Sequence, residues 1–158
     1  MNLERPGGCL CGAVRFTARL TGTTFGICHC PMCRKWTGSA LLGITVPAGN
    51  VEWTGLEHVA KRQSSGWGER AWCADCGSPV WFRVTVDGPY AGNVELPIGS
   101  FDDANGLTMA NEIYIDFKPD SYAFAGEGRR VLTRADCVAR FPVLDSDRAE
   151  TGQGEGRT

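Results

Sequence analysis

The sequence predicts a mainly β protein whose clustered cysteines bind zinc. Two counts and one pattern carry this prediction: 21 of the 158 residues are glycine, eight are cysteine, and apolar and polar residues alternate in short stretches. Frequent glycine is typical of tight turns, and alternation with a period of two is typical of half-buried strands. Seven of the eight cysteines fall within residues 9–11, 28–33 and 73–76.

Five stretches have the composition of β-strands. In residues 13–20, apolar residues alternate with Arg15, Thr17 and Arg19, so one face of this strand is expected to be buried. Runs rich in β-branched and aromatic residues predict four more strands, over residues 40–46, 80–86, 93–98 and 111–116. Glycine and proline turns separate these runs.

At most one or two short helices are expected. Residues 31–37 are too few to be more than a turn after the second cysteine group. Residues 134–141 predict a helix, because Thr133 and Asp136 have the spacing of a capping box and an apolar face follows. Cys137 lies opposite that apolar face, so we expect it to be a free thiol.

Length and charge limit the class of protein. A chain of 158 residues suits one domain, expected over residues 1–142, and a frayed polar tail is expected over residues 143–158. A net charge of −2 argues against a nucleic-acid partner, and no apolar run is long enough to predict a membrane helix. The first residues do not have the pattern of a secretory signal, so the expected location is the cytoplasm.

The spacing of the clustered cysteines suits metal binding. Cys9 and Cys11 share one face of an extended segment, and a Cys-x-x-Cys turn followed by Gly77 curls its two sulfurs together. Seven cysteines divide into four and three, and a zinc with three thiolates keeps an open fourth position, as catalytic zinc does. From spacing alone, the assignment of cysteine groups to ions stays open.

Other interpretations of the cysteines are weaker but distinct. If His29, His58 or Cys137 completes the second site, both metals are structural, although alternation directs His29 away from its cysteine neighbours. Disulfides within Cys-x-Cys would be strained, and no βαβ context supports a thioredoxin-like pair. A thiol-dependent reductase would need a reactive cysteine outside the clusters, and Cys137 is the candidate.

Three motifs resemble those of the glutathione-dependent formaldehyde-activating enzyme family, which also includes centromere protein V-like proteins. The motifs are Gly7-Gly8-Cys9-Leu10-Cys11-Gly12-Ala13-Val14-Arg15-Phe16, Cys28-His29-Cys30-Pro31-Met32-Cys33-Arg34-Lys35-Trp36-Thr37-Gly38 and Cys73-Ala74-Asp75-Cys76-Gly77-Ser78. The resemblance implies zinc-stabilised twisted β-sheets, with a fold shared distantly with methionine sulfoxide reductase B. Two zincs per chain are implied: a structural one on Cys9, Cys11, Cys73 and Cys76, and a second, catalytic one on Cys28, Cys30 and Cys33.

The family's founding activity joins glutathione and formaldehyde into S-(hydroxymethyl)glutathione and is classed as a carbon–sulfur lyase. The resemblance therefore implies a zinc-dependent lyase with glutathione as co-substrate and a small electrophile as its second partner. Two segments depart from the family pattern, where Asn111-Glu112-Ile113-Tyr114 replaces a region that often carries histidine and Lys118-Pro119-Asp120-Ser121-Tyr122 lacks a frequent tryptophan. These departures concern the substrate and leave the zinc ligands in place.

Thirteen arginines stand against three lysines, a bias that favours planar recognition of carboxylate or phosphate. The candidate residues for binding a carboxylate-bearing thiol are Arg34, Arg62, Arg70, Ser64 and Ser65. A zinc-stabilised binding module in which neither metal does chemistry is the alternative of a different class. Exposed strand edges would also permit a homodimer.

Overall fold

The computed structural model describes residues 3–146, which form a mainly β structure with two short α-helices. The helices are α1 (Pro31–Thr37) and α2 (Arg134–Arg140). The strands are β1 (Glu4–Gly8), β2 (Arg15–Arg19), β3 (Thr24–Cys28), β4 (Leu41–Pro47), β5 (Val51–Thr54), β6 (Val59–Gln63), β7 (Gly68–Cys73), β8 (Pro79–Val84), β9 (Asn93–Pro97), β10 (Thr108–Ile113) and β11 (Arg130–Leu132). The predicted mainly β class is confirmed.

The described residues divide into two compact units. The first contains residues 3–25 and 42–108, and the second contains residues 26–41 and 109–146. The single domain expected over residues 1–142 stays a prediction. Residues 143–146 of the expected tail lie in the 3-10 helix Pro142–Ser146, and residues 147–158 lie outside the described residues.

Two antiparallel arrangements of strands build the first unit. One sheet has the strand order β1-β2-β5. In the second set, neighbouring strands pair in the order β4-β9-β8-β7-β6. Phe16 of β2 lies opposite Trp53 of β5, and its ring packs 5.3 Å from Trp53 and 5.2 Å from Phe101. Trp81 of β8 continues this aromatic core at 5.0 Å from Trp53. The alternation of β2 therefore buries the face that the sequence predicted.

The second unit combines strands in the order β11-β10-β3 with both helices. β10 and β11 are parallel, with Ile113 opposite Leu132. The capping box of α2 is confirmed, since Thr133 accepts from the backbone of Asp136 and the Asp136 carboxylate accepts from the backbone of Thr133. Cys137 is the buried residue of α2 and packs in a core with Tyr114.

Two local expectations are wrong. Residues 31–37 are a helix rather than a turn: Pro31 occupies its first turn, the Cys30 sulfur caps it, and Gly38 ends it in the left-handed conformation with φ of 81°. Cys137 is not opposite the buried face of α2, because its side chain is only 7% exposed and lies in the core of the second unit. Tertiary contacts, rather than the helix's own apolar stripe, decide its orientation.

The predicted strands are found at shifted boundaries. The segment 111–116 is strand only to Ile113, and a 3-10 turn over Ile115–Phe117 follows. In the described residues, no helix is both long enough and apolar enough to cross a membrane.

We expect Gly55→Ala to destabilise the first unit. Gly55 has a φ of +77°, and a Cβ there would lie 1.8 Å from the carbonyl oxygen of Ala13. The left-handed conformation alone costs an L-residue about 1–2 kcal/mol, and the backbone clash adds to that cost. Thermal unfolding followed by circular dichroism measures the loss.

Gly49→Ala is the matched control, because a Cβ at Gly49 meets no atom within 4 Å. Its unfolding temperature should stay near that of the wild type. Equal unfolding temperatures for the two variants would contradict the proposed clash at Gly55.

Candidate metal centres

Four cysteines of the first unit meet at one point. Their sulfurs lie within 4.8 Å of one another, and the residues are Cys9, Cys11, Cys73 and Cys76. Two tight turns bring them together: one follows β1, and the other joins β7 to β8. In the second turn, Gly77 has a φ of 78° and donates its N–H to the Cys73 carbonyl at 2.8 Å, as its position after the Cys-x-x-Cys motif predicted.

The sulfur spacing of this first cluster fits a tetrahedral zinc ion. The sulfur of Cys11 lies 3.5 Å from that of Cys9 and 3.8 Å from that of Cys73. A zinc tetrahedron with Zn–S distances of ~2.3 Å has sulfur–sulfur edges of about 3.8 Å. The first cluster could therefore hold a metal ion consistent with zinc, closed by four protein ligands.

Three cysteines of the second unit form the middle cluster. The sulfurs of Cys28, Cys30 and Cys33 also lie within 4.8 Å of one another. Each comes from a different local structure: Cys28 ends β3, Cys30 caps α1, and Cys33 lies in the first turn of α1. The Cys33 backbone N–H donates to the Cys30 sulfur at 3.4 Å, which helps to fix the direction of that sulfur.

The middle cluster lies against an apolar core, and its three cysteines differ in burial. Cys30 and Cys33 are buried in a core with Leu41, Tyr114 and Cys137, whereas Cys28 is only half-buried. Among the described residues, Cys137 is not in the three-sulfur group, although it packs in the same core. Three cysteine sulfurs that lie close together suit a zinc ion whose fourth ligand comes from outside the protein.

The close packing of thiols changes their pKa values. Hydrogen bonds with Cys30 and Cys33, followed by burial, raise the pKa of Cys28 well above its usual range. In the first cluster, the Ala13 backbone favours the Cys11 thiolate, but Cys9 and desolvation outweigh it and raise the pKa of Cys11 to about 12. The Ser78 hydroxyl and backbone lower the pKa of Cys76 to about 5.

In addition to these hydrogen bonds and burial, neighbouring thiols in a cluster affect one another's ionisation. Thiolates a few ångströms apart repel one another, so one thiol in a cluster ionises easily and the next ones do not. A divalent cation removes this repulsion and allows every sulfur to lose its proton. The donor chemistry of both clusters therefore fits a bound zinc ion.

His29 points away from the middle cluster, as alternation predicted. Its side chain is fully buried, and its Nε2 lies 2.8 Å from the Glu112 carboxylate. Arg129 donates to the other oxygen of Glu112, and the Tyr122 hydroxyl lies 3.4 Å from His29 Nδ1. Sequence reasoning did not identify these three partners of His29, although it noted the segments that contain Glu112 and Tyr122 as departures from the family pattern.

Arg34 is the candidate substrate residue in the same unit as the middle cluster. It follows Cys33 on α1, and its Nε donates to the His29 carbonyl at 3.0 Å. Because His29 lies between Cys28 and Cys30, this bond holds the guanidinium beside the backbone that carries two of the three thiols.

The other candidate substrate residues lie in the first unit, on the hairpin of β6 and β7. Arg70 is buried, donates to the Ser64 hydroxyl at 2.5 Å and stacks on the Phe82 ring at 4.9 Å. Ser65 accepts from the backbone of Trp67, and exposed Arg62 lies opposite Arg70 in the strand register. Their role in substrate binding stays a prediction.

We expect Cys73→Ser to abolish zinc binding at the first cluster and unfold the first unit. A structural zinc contributes roughly 10–16 kcal/mol to the folding of small zinc domains, which is as large as the whole stability of a typical protein. Cys73 is buried, so the variant also places an unpaired hydroxyl at the site. Zinc per chain and the cooperativity of thermal unfolding measure the effect.

Cys137→Ser is the matched control, since it makes the same chemical change at a buried cysteine outside both clusters. It should retain two zincs and unfold cooperatively. A Cys73→Ser protein with two zincs and an unchanged unfolding transition would refute the structural role of the first cluster.

Comparisons with known proteins agree on one family. Residues 4–116 match the model of the glutathione-dependent formaldehyde-activating enzyme family. An uncharacterized lyase of Schizosaccharomyces pombe is 32% identical over 125 residues, which cover 78% of this chain and 88% of that protein. A Halomonas elongata protein, provisionally named a glutathione-dependent formaldehyde-activating enzyme, is 32% identical over 83 residues, covering 48% of this chain and 53% of its own length.

A solved structure supports the fold. The crystal structure of a Rhodobacter sphaeroides protein superposes with a TM-score of 0.53 at 16% identity and covers 81% of this chain and 99% of that one. The family match spans the first cluster, the middle cluster and β1 to β10. This chain belongs to the glutathione-dependent formaldehyde-activating enzyme family.

Proposed function

We propose that this protein is a zinc-dependent carbon–sulfur lyase that acts on adducts of glutathione or a similar small thiol. The observation that carries the proposal is the middle cluster, in which three sulfurs converge within 4.8 Å in the second unit. Membership in the family and the lyase name of the S. pombe relative support a glutathione-related, lyase-like function. The specific reaction that we propose is the condensation of glutathione with formaldehyde, the two compounds that the family's description names.

The proposed reaction forms one bond and needs no oxidant. The glutathione sulfur forms a bond with the formaldehyde carbon, the C=O π bond breaks, and the thiol proton is balanced by a proton gained at the oxygen. Bound zinc supplies a position at which a thiol loses its proton readily near neutral pH. The reverse reaction breaks the same carbon–sulfur bond.

The chain's own residues would orient the thiol at the middle cluster. Cys28, Cys30 and Cys33 would hold the ion, and the apolar core behind Cys30 and Cys33 excludes water from that side. Arg34 is the proposed partner for a glutathione carboxylate. The His29 carbonyl fixes its Nε, so part of the guanidinium's freedom is lost before the substrate arrives.

The environment of Cys137 argues against the reductase alternative. Its side chain is only 7% exposed, and burial raises its pKa. A nucleophilic cysteine needs the opposite, an accessible sulfur with a lowered pKa.

The first test is native mass spectrometry of the two-zinc protein with glutathione, S-methylglutathione or cysteamine. Glutathione and cysteamine should bind to the wild type, and S-methylglutathione should not, because its sulfur cannot become a thiolate. Cys30→Ser should keep the first cluster's zinc and lose thiol binding. A two-zinc protein that takes up no thiol would refute the lyase proposal and support a zinc-stabilised binding module.

Arg34→Gln separates carboxylate recognition from thiol binding. We expect about tenfold weaker binding of glutathione and unchanged binding of cysteamine, which has no carboxylate, because a hydrogen bond to a charged group contributes about 1.5–3 kcal/mol. Lys35→Gln removes an exposed charge at the next position of α1 and is the matched control. Equal loss for both thiols would contradict the assigned role of Arg34.

Catalysis is measured as exchange between free formaldehyde and its glutathione adduct, by nuclear magnetic resonance with ¹³C-labelled formaldehyde. The unaided reaction sets the baseline, so the wild-type rate is compared with that of Cys30→Ser at equal protein concentration. Equal exchange rates would show that the middle cluster does not catalyse this reaction.

A further inference from the structure

A buried array of polar side chains lies against the backbone of the middle cluster. It consists of His29, Glu112, Arg129 and Tyr122, all in the second unit. His29 is 0% exposed and Glu112 is 3% exposed, so neither is placed to bind a substrate from solvent directly. The buried His29–Glu112 pair therefore acts on other parts of the protein, and the partly buried Arg129 and Tyr122 hold it in place.

Both polar ends of the His29 ring have partners. Nε2 faces the Glu112 carboxylate at 2.8 Å, and Nδ1 faces the Tyr122 hydroxyl at 3.4 Å. The rings of Tyr122 and Phe124 each pack 6.1 Å from the imidazole. The ring thus has one defined orientation, set by hydrogen bonds at two opposite edges and by aromatic packing.

The main chain of His29 is fixed as well. Its N–H donates to the Ile113 carbonyl of β10 at 3.1 Å, and its carbonyl accepts from Arg34 at 3.0 Å. His29 is the one residue between Cys28 and Cys30. Backbone and side chain together therefore fix the segment that carries two sulfurs of the middle cluster.

Arg129 connects this array to the segment between Lys118 and β11. Its Nε donates to Glu112, and its terminal nitrogens donate to the carbonyls of Phe124, Ala125 and Gly126, at 2.7, 3.1 and 2.6 Å. One planar guanidinium thus holds both the carboxylate and the loop that presents Tyr122 and Phe124.

Stability alone is a weak reason for such an array. Burying a guanidinium and a carboxylate costs solvation, and well-packed apolar residues often stabilise a core equally well. What a buried ion pair with directed hydrogen bonds adds is a single geometry. Here that geometry is imposed on the Cys28–Cys30 segment.

We infer that Arg129, Glu112 and His29 form a positioning array that holds Cys28 and Cys30 in the geometry required to bind the metal. These residues are neither ligands nor catalytic residues. They act through the backbone between two ligands and set how firmly the middle cluster retains its ion. The inference rests on the metal site of the proposed function but not on the lyase reaction.

The test is the rate of zinc release to the chromogenic chelator 4-(2-pyridylazo)resorcinol, without any substrate. Alkylation of the released thiols by N-ethylmaleimide, followed by peptide mapping, assigns each zinc to the first or the middle cluster. In Glu112→Gln, we expect release from the middle cluster to be roughly 10–100-fold faster, the usual effect of losing an outer partner of a metal site. Release from the first cluster should not change.

Tyr122→Phe is the second variant, because it removes one hydroxyl from His29 and leaves the Arg129–Glu112 ion pair intact. It should accelerate release from the middle cluster in the same direction, by a smaller factor. If Glu112→Gln does not fold, Tyr122→Phe decides the inference. Arg134→Gln is the matched control, since it removes another arginine–carboxylate pair of the second unit, with Asp145.

Three results would overturn the inference: unchanged release from the middle cluster in the folded variants, equal acceleration at both clusters, or the same acceleration in Arg134→Gln. Cobalt(II) provides a readout of geometry, because its d–d absorption should change in Glu112→Gln and not in Arg134→Gln. A wild-type protein with zinc only in the first cluster would overturn the inference and the proposed function together. Two zincs with normal release in the variants would overturn the inference alone.

Discussion

Repulsion between closely packed thiolates is the constraint on which this structure depends. Seven sulfurs lie in two groups, and within each group every sulfur is within 4.8 Å of the others. Hydrogen bonds with neighbouring cysteines and burial raise the pKa values of Cys11 and Cys28, so ionising every thiol of a group is unfavourable without a cation. A fold that brings thiols together in this way has no hydrophobic reason to do so at the exposed Cys11. A bound metal ion would supply the missing attraction.

The two clusters use the same ligand in different surroundings. The first takes its sulfurs from two turns of the first unit, so its ion would cross-link segments that are about 60 residues apart in the chain. The middle cluster takes its sulfurs from one short segment, 28–33, and therefore gains little from cross-linking. An ion bound there would therefore contribute less to folding than an ion in the first cluster.

The environment of the middle cluster explains how three nearby residues form a defined site. A six-residue segment has many conformations in which its cysteines diverge. Here the end of β3 fixes Cys28, and the first turn of α1 fixes Cys33. The residue between the first two ligands, His29, is held through its ring and through its main chain. Order at the cluster therefore comes from its neighbours as much as from its own sequence.

Short-range sequence patterns predicted those elements and ligands that depend on neighbouring residues. Alternation located β2, a run rich in β-branched residues located β4, and the spacing of the cysteines identified all seven candidate ligands. The seven-residue helix α1 was missed because it is too short to show a helical period, although Pro31 and Gly38 are typical of a helix start and stop. The first strand was missed for a related reason, since Pro6, Gly7 and Gly8 are all poor strand formers.

Contacts between distant residues could not be predicted in this way. His29 and Glu112 are 83 positions apart, and Glu112 and Arg129 are 17 apart. No local pattern specifies such pairs, because each depends on strand order and on the path of a loop. The grouping of Cys9 and Cys11 with Cys73 and Cys76 has the same character. Sequence spacing left it open, and only the resemblance to a family implied it.

Many of the arginines that the sequence contains in excess are held by contacts within the protein. The bias towards arginine predicted recognition of carboxylates, and several of the described arginines bind carboxylates of the protein itself or are held by its other side chains. Arg15 binds Asp102, Arg83 binds Glu69, Arg129 binds Glu112, Arg134 binds Asp145, and Arg70 is held by Ser64 and Phe82. A guanidinium that already forms such an ion pair or hydrogen bond would have to break it to bind a substrate.

Arg34 differs from these arginines. Its Nε is fixed by a carbonyl rather than by a carboxylate, so its positive charge is not neutralised by that contact. Within residues 3–146, no ion pair is found for it, and it is only half-buried. It also lies next in sequence to a ligand of the middle cluster. The Arg34 guanidinium is therefore oriented beside the backbone that joins Cys28 to Cys30, and its charge stays available to an anion, which the arginine content of the sequence does not by itself indicate.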